Sequence, residues 1–284
     1  MAMTKISTDS PADMPKELCD RYKVRTIPLH VILDEKSYDD GVTIVPKDIY
    51  KFYDENKLLP KTAAVSVSEY EDFFRELTSG GSSVVHISLS SEISSTFQNA
   101  SIAAAEFDNV FIVDSKSLCC GMALLVIKAA EMAENGVPAK DIATEIEKLK
   151  TNVKTSFILD NLLYLHKGGR CSGVAAFGAN VLGIKPSIVM NDGTLTVGKK
   201  YRGKLETCQV QYMHDVLKAN KGKVDDSRVI LARTDGVSDE QMDLIAKEIV
   251  KIVPFKEVLM AYAGCTITSH CGAKTFAVLF MTKK

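Results

Sequence analysis

The sequence predicts an α/β protein in two halves. The first half carries a mainly parallel sheet with flanking helices. The second is an α+β unit with a mainly antiparallel sheet. Three observations predict this. Short β-branched or apolar runs alternate with helical patterns over the first half, which implies a parallel sheet covered on both faces. Past residue 160 the texture changes to a stretch dense in Gly and small residues, 160–193, followed by a hairpin signal and further strands. The chain of 284 residues is long enough for two domains. The divide is placed within residues 155–160, giving units 1–157 and 158–284.

Taken in order, Lys5–Thr8, Val24–Leu33, Val84–Leu89 and Val110–Val113 are the strand candidates of the first half. Ser68-Glu69-Tyr70-Glu71 has the S-x-x-E form of a capping box, and Phe73, Phe74 and Leu77 follow on a helical face. Ser94 to Phe107 is rich in Ala and free of Gly and Pro, so it predicts a helix. Met122 to Ala133 predicts another, stopped by Asn135-Gly136 in a left-handed turn. Pro138 suits the first turn of a further helix with Ile142, Ile146 and Leu149 at helical spacing. In the second half, Pro186–Met190 and Thr194–Lys199 flank the hairpin signal Asn191-Asp192-Gly193. Arg228–Arg233 is a strand candidate. Ser238 to Val253 is a helix capped through Ser238 and Gln241, with Met242, Ile245, Ile249 and Ile252 on one face. Strands at Glu257–Ala263 and Thr275–Met281 complete the chain.

Composition removes several function classes. With 35 Lys and Arg against 36 Asp and Glu, the net charge is −1, without the basic excess that phosphate contacts need. Nucleic acid is therefore not an expected partner. A 46% hydrophobic and 25% charged chain is an ordinary globular one rather than a disordered one. No apolar run approaches the ~18 residues of a membrane span; Gly121–Ile127 stops at Lys128. Met1–Ser10 has no apolar signal-peptide core. Seven cysteines without zinc-site spacing read as reduced thiols in the cytoplasm, with no metal expected. Cys119 and Cys120 read as packing residues, and Cys171 beside Arg170 is the only thiol singled out for a test of a lowered pKa.

The chemistry points to the strand ends. Thr8-Asp9-Ser10, Ser88-Leu89-Ser90-Ser91 and Asp114-Ser115-Lys116-Ser117 would share one edge of a parallel sheet, where open α/β folds bind ligands. The same residues are also good turn and cap formers. The segment His86–Gln98 runs from a strand through a hydroxyl-rich loop into a helix start, which suits an anion such as a carboxylate or phosphate. Ser94 and Ser95 could complete that site, or one of them is only the N-cap. No GxGxxG, GxxxxGK[ST] or GxSxG occurs, which disfavours nucleotide sites and a hydrolase elbow. His270, in Thr268–Ala273, reads as a loop histidine between two strands. Arg170 follows two glycines and is either a second anion ligand or a solvated charge. The basic run Lys199–Lys204 is a solvated strand end or a partner-docking patch.

In sequence order, Ile6-Ser-Thr-Asp-Ser10, Pro60-Lys-Thr-Ala-Ala-Val-Ser66, Ile87–Gln98, Val113-Asp-Ser-Lys-Ser117, Leu162–Arg170 and Ser269-His-Cys-Gly272 resemble the motifs of the DegV family of bacterial fatty-acid-binding proteins. The resemblance covers nearly the whole chain. It implies a two-domain DegV-type fold that holds one long-chain fatty acid, such as palmitate, in a buried tunnel between its domains. It implies that Thr62 and Ser94 bind the carboxylate. Here the family's Ser-Gly-Thr reads Ser94-Ser95-Thr96, so Ser95 adds a side chain beside the head group. Arg170 and His270 match family positions near the head group and the opening. The resemblance further implies a carrier without cofactor or catalytic residues, acting in lipid transport and fatty acid metabolism. Its partner would be a fatty acid kinase facing Arg170, His270 and the Lys199–Lys204 run, and transient membrane contact stays open. The rival is a serine hydrolase or acyl transferase using Ser94 or Ser95 with His270. A third reading is a small-molecule sensor using the same pocket.

Overall fold

A computed structural model describes residues 3–174 and 183–283. Part of the small-residue stretch, 175–182, lies outside the described residues. The first sheet is wholly parallel. It is built from β1 (Thr4–Asp9), β2 (Arg25–Ile27), β6 (Ser83–Ser88) and β7 (Val110–Asp114), in the order β2-β1-β6-β7. The expected single strand Val24–Leu33 is in fact two. Pro28 has no N–H to give to a ladder, so the chain leaves β2 there and begins β3 (His30–Leu33) in a separate sheet. That small antiparallel sheet has the order β4-β3-β5, with β4 (Lys36–Asp39) and β5 (Lys61–Ala63).

The third sheet has seven strands in the order β13-β12-β14-β8-β10-β11-β9. These are β8 (Val153–Ile158), β9 (Cys171–Ser172), β10 (Ile184–Asn191), β11 (Thr194–Arg202), β12 (Val224–Arg233), β13 (Val258–Tyr262) and β14 (Phe276–Thr282). The β12–β13 and β11–β9 pairs are parallel and the others antiparallel. β8 lies across the expected divide at residue 157 and pairs within this sheet, with β14 and β10. The hairpin β10–β11 turns at Asp192 and Gly193, both at positive φ as a primed turn requires.

Helices cover these sheets. α3 (Val67–Thr78) is capped by Ser66, not by Ser68: the Ser66 hydroxyl accepts from the Glu69 N–H at 3.3 Å, and the Glu69 carboxylate accepts from the Ser66 N–H at 2.8 Å. Both serines open an S-x-x-E pattern, but starting at Ser66 puts Tyr70, Phe74 and Leu77 on the buried face and leaves Phe73 half-buried. α4 (Thr96–Ala104) is shorter than expected at both ends. α5 (Cys120–Glu134) is buried on nearly every side over its first seven residues beyond Cys120. It packs against β1 and β6 on one side and β8 and β14 on the other, so an all-round apolar helix is what its place requires. α6 (Ala139–Leu149) begins after Pro138, as expected. α9 (Asp239–Ile252) is capped by Ser238 through the Gln241 N–H at 3.2 Å; Met242, Ile245 and Ile249 are buried, but Ile252 at its end is exposed. One apolar core runs from Ile6 on β1 through α5 to Leu279 on β14, and a second lies under α9 and α8 (Leu205–Ala219). Two short helices bear on function: α7 (Leu163–Gly168) and α10 (Cys265–Cys271). His270, expected on a loop, stands in the last turn of α10.

Candidate functional site

The three hydroxyl- and acid-rich strand ends do share one edge of the parallel sheet, but they hold one another. Asp9 is fully buried. It accepts hydrogen bonds from the His86 Nε2–H at 2.9 Å, the Ser88 hydroxyl at 2.8 Å, the Leu89 N–H at 2.7 Å and the Tyr70 hydroxyl. On the other side of the ring, His86 Nδ1 lies 3.0 Å from the Ser7 hydroxyl. Asp114 accepts from the Ser91 N–H at 3.2 Å and hydroxyl at 2.6 Å. Burial opposes ionisation of Asp114, but the bonds from Ser91 and Lys116 prevail and hold its pKa below the usual carboxylate value.

The consequence is a tethered loop after β6. The Ser90 hydroxyl donates to the Gly193 carbonyl at 2.8 Å, at the tip of the β10–β11 hairpin. A Cβ at Gly193 would lie 2.6 Å from Ser90 Oγ and 2.7 Å from Lys116 Cδ, so only glycine lets the tip sit this close. Past this tethered stretch, Ile93, Ser94 and Ser95 line a cavity of about 290 Å³. Thr62, Arg170 and His270 line it as well, so all five residues singled out from the sequence meet at one space. The rest of the wall is chiefly apolar, including Leu29, Leu89, Leu118, Leu165, Leu195 and Ile267.

Four segments build the polar end. Thr62 comes from β5, opposite Val31, and its Oγ1 lies 2.8 Å from His270 Nε2 on α10. Ser94 is half-buried before α4; its Oγ is 2.5 Å from Thr96 Oγ1 and accepts from the Thr96 N–H at 3.2 Å. Ser95 precedes the helix, is exposed and makes no side-chain cap. Arg170 is exposed and donates to the Gly168 carbonyl at 2.7 Å, closing the turn after α7. The guanidinium is thus engaged, and Cys171 gains no depressed pKa; burial instead pushes its thiol up to about 11, contrary to the sequence expectation. The Lys199–Lys204 run lies outside the cavity lining, at the end of β11 and beyond, with Lys199 paired to Asp215 at 2.6 Å.

His270 is a wall residue. Its Nδ1 is sealed from solvent with no hydrogen-bond partner among the described residues, and a Cβ at Gly168 would come within 2.4 Å of it. Burial, with the nearby Arg170 charge, lowers its pKa from 6.5 to about 4. A neutral imidazole lowered this way stabilises the fold fully above pH 6.5. That contribution is lost as pH falls towards 4, because the unfolded chain takes the proton first. Between pH 6.5 and 4 the loss should approach about 3 kcal/mol. Denaturant titrations of the parent and His270→Gln across that range check this; parallel pH profiles would show that His270 does not titrate as described.

The arrangement suits anion recognition better than nucleophilic chemistry. Among the described residues neither Ser94 nor Ser95 is hydrogen-bonded to His270, whose Nε2 is engaged by Thr62. No group of three or more His, Cys, Asp or Glu side chains among the described residues could hold a metal ion. No helix among them is long and apolar enough to cross a membrane.

A family model described as "Uncharacterised protein, DegV family" matches residues 3–283. The chain belongs to the DegV family. A DegV domain-containing protein of Caldanaerobacter subterraneus subsp. tengcongensis is 30% identical over 285 residues, covering 100% of both chains. Among solved structures, a fatty-acid-binding DegV family protein from Thermus thermophilus superposes with a TM-score of 0.89 at 26% identity, over 99% of this chain and 100% of that one. A stearic acid-binding protein from Eubacterium ventriosum does so with a TM-score of 0.86 at 28% identity, over 99% of each.

Two carboxylates of this DegV chain escaped the sequence reading. Asp40 accepts from the Cys265 N–H at 2.7 Å, the Thr266 N–H at 3.2 Å and the Ser10 hydroxyl at 2.9 Å. Asp13 accepts from the Gly264 N–H at 2.8 Å, and burial, reinforced by Cys119 and Asp40, holds its pKa well above the usual value. Together they fix the start of α10, and so the place of His270 at its end. An Asp-Gly pair at the end of a short strand reads only as a turn, so nothing local signalled this role.

Proposed function

We propose that this DegV-family protein binds one long-chain fatty acid, such as palmitate, between units 1–157 and 158–284, and presents its carboxylate to a fatty acid kinase. The observation that carries the reading is the Thr62–His270 contact at the polar end of an otherwise apolar cavity. A Thr62 hydroxyl that donates to a carboxylate must accept its second bond from His270 Nε2–H. The neutral imidazole with a bare Nδ1 is the tautomer that does so. His270 thereby aims the Thr62 proton into the cavity, and the Ser94 hydroxyl supplies a second donor. Two neutral donors orient a carboxylate without a buried ion pair. Burial of the acyl chain, at about 0.8 kcal/mol per methylene, supplies most of the affinity. The names of the solved relatives, fatty-acid-binding and stearic acid-binding, support the ligand class.

On this reading the protein is a cytoplasmic carrier that needs no cofactor. The exposed Arg170 and the Lys199–Lys204 run are the proposed kinase-facing charges. His270 belongs to the cavity wall rather than to that surface. A transient membrane contact would suffice for loading. The hydrolase reading is less favoured, since His270 Nε2 is engaged by Thr62 and, among the described residues, neither Ser94 nor Ser95 is hydrogen-bonded to it. The test is mass spectrometry of lipid extracted from the purified protein. About one fatty acid per chain is expected. A protein that is empty and takes up no added palmitate would overturn the proposal.

A further inference from the structure

Among the described residues, two that line the cavity carry a buried side-chain polar atom with no hydrogen-bond partner. One is His270 Nδ1, which abuts Gly168. The other is Thr266 Oγ1, on a residue only 4% exposed. Thr266 stands in the first turn of α10, four residues before His270. In a helix that spacing sets two side chains on one face, about 6 Å apart along the axis. The orphan hydroxyl therefore sits one turn from the polar end built by Thr62 and His270.

The helix end itself is already filled. The Thr266 N–H donates to Asp40 at 3.2 Å, as the Cys265 N–H does at 2.7 Å. The hydroxyl is left over for a local reason. Hydroxyl residues in a helix can donate back to a carbonyl about one turn earlier. Ser269 does so to the Cys265 carbonyl at 2.7 Å, and Thr268 reaches the Ala263 carbonyl at 3.5 Å. The residue four before Thr266 is Tyr262, which ends β13 and lies outside the helix. A buried hydroxyl that bonds nothing has given up water without return. Valine has nearly the same shape and would carry no such cost. Around Thr266 the cavity wall is hydrocarbon, Leu29 and Ile267 included. A threonine exchanges the places of its hydroxyl and methyl by one rotation about χ1. An oxygen inside the cavity needs only to select the rotamer aimed at it, and an unsubstituted acyl chain brings no oxygen there.

Resting on the fatty-acid reading, we propose that Thr266 recognises a hydroxyl carried by the acyl chain close to its carboxylate, so that the preferred ligand is a hydroxy fatty acid rather than a plain one. The test is equilibrium competition of palmitate against α-, β- and γ-hydroxypalmitate on delipidated full-length protein, with ω-hydroxypalmitate as control. The best of the three should bind about fivefold tighter than palmitate, the scale of one net hydrogen bond read as a Kd ratio. The ω-hydroxy acid, whose hydroxyl enters the apolar end, should bind more weakly than palmitate. Thr266→Val should leave palmitate within about twofold and reverse the preference, because the ligand hydroxyl then has no partner. Thr266→Ser should keep the preference. Denaturant titration of Thr266→Val should show no loss of stability, since its hydroxyl bonds nothing in the fold. The hydroxy-acid site would be overturned, with the fatty-acid reading intact, by any of three results. These are a parent that binds palmitate at least as tightly as all three acids, an equal gain from the ω-hydroxy acid, or a preference unchanged in Thr266→Val. A protein that binds none of these acids would overturn the fatty-acid reading itself.

Discussion

Asp40→Ala is expected to lower folding stability by about 3–5 kcal/mol and to empty the acyl site in the same step. Asp40 is only 4% exposed, and both its oxygens are engaged. Its removal strands the buried Cys265 and Thr266 N–H groups at the start of α10 and takes the acceptor of the half-buried Ser10 hydroxyl. Buried donors left without acceptors cost about 1–3 kcal/mol each. The bonds join residues 225 and 226 positions apart, so no local structure can replace them. The second effect follows from the first. α10 carries His270 at its far end, and on the proposed reading His270 sets the direction of the Thr62 hydroxyl. Denaturant titration measures the stability term, and palmitate retention measures the site. A loss below about 1 kcal/mol would show that something other than this cap holds α10.

The double variant Thr62→Ala, Ser94→Ala should weaken fatty-acid binding by about a hundredfold or more. Each hydrogen bond to a charged group is worth about 1.5–3 kcal/mol, and the two bonds share one ligand, so the losses will not add cleanly. Thr62→Ala also leaves His270 Nε2–H without its acceptor. Ser94→Ala also removes the acceptor of the Thr96 N–H, a cap-like loss of about 1 kcal/mol. A structural readout is therefore needed beside affinity. Thr62→Ser keeps the hydroxyl and should keep most of the binding. Unchanged palmitate affinity in the folded double variant would place the carboxylate elsewhere.

Much of the fold was legible because its signals are local. The strands β1, β6 and β7, the Asn191–Gly193 turn and the Ser238 cap each depend on neighbours within a few residues. The Val24–Leu33 run was misread because its apolar pattern outweighed Pro28, although the missing N–H decided the break. His270 looked like a loop residue because α10 is short, and its capping acids lie more than two hundred residues away. The strand-end clusters were correctly brought to one edge, but sequence could not say that they satisfy one another and anchor the loop bearing Ser94. Cys171 was misjudged for a similar reason: adjacency to Arg170 does not reveal that the guanidinium turns back to Gly168. The five candidate residues do line one cavity, since the family motifs preserve the pieces whose meeting no spacing rule predicts.

The place of β14 has a consequence for how the protein is made. It sits between β12 and β8 in the seven-stranded sheet, although it follows both in the chain. On the ribosome, β8 therefore waits with one edge open until β14 emerges. Thr62 precedes its partner His270 by 208 residues. At about 5–20 residues per second, that is a delay of roughly 10–40 s during synthesis. Over that interval the nascent chain holds only half of the proposed carboxylate site. On the fatty-acid reading proposed above, loading therefore waits until α10 and β14 have taken their places.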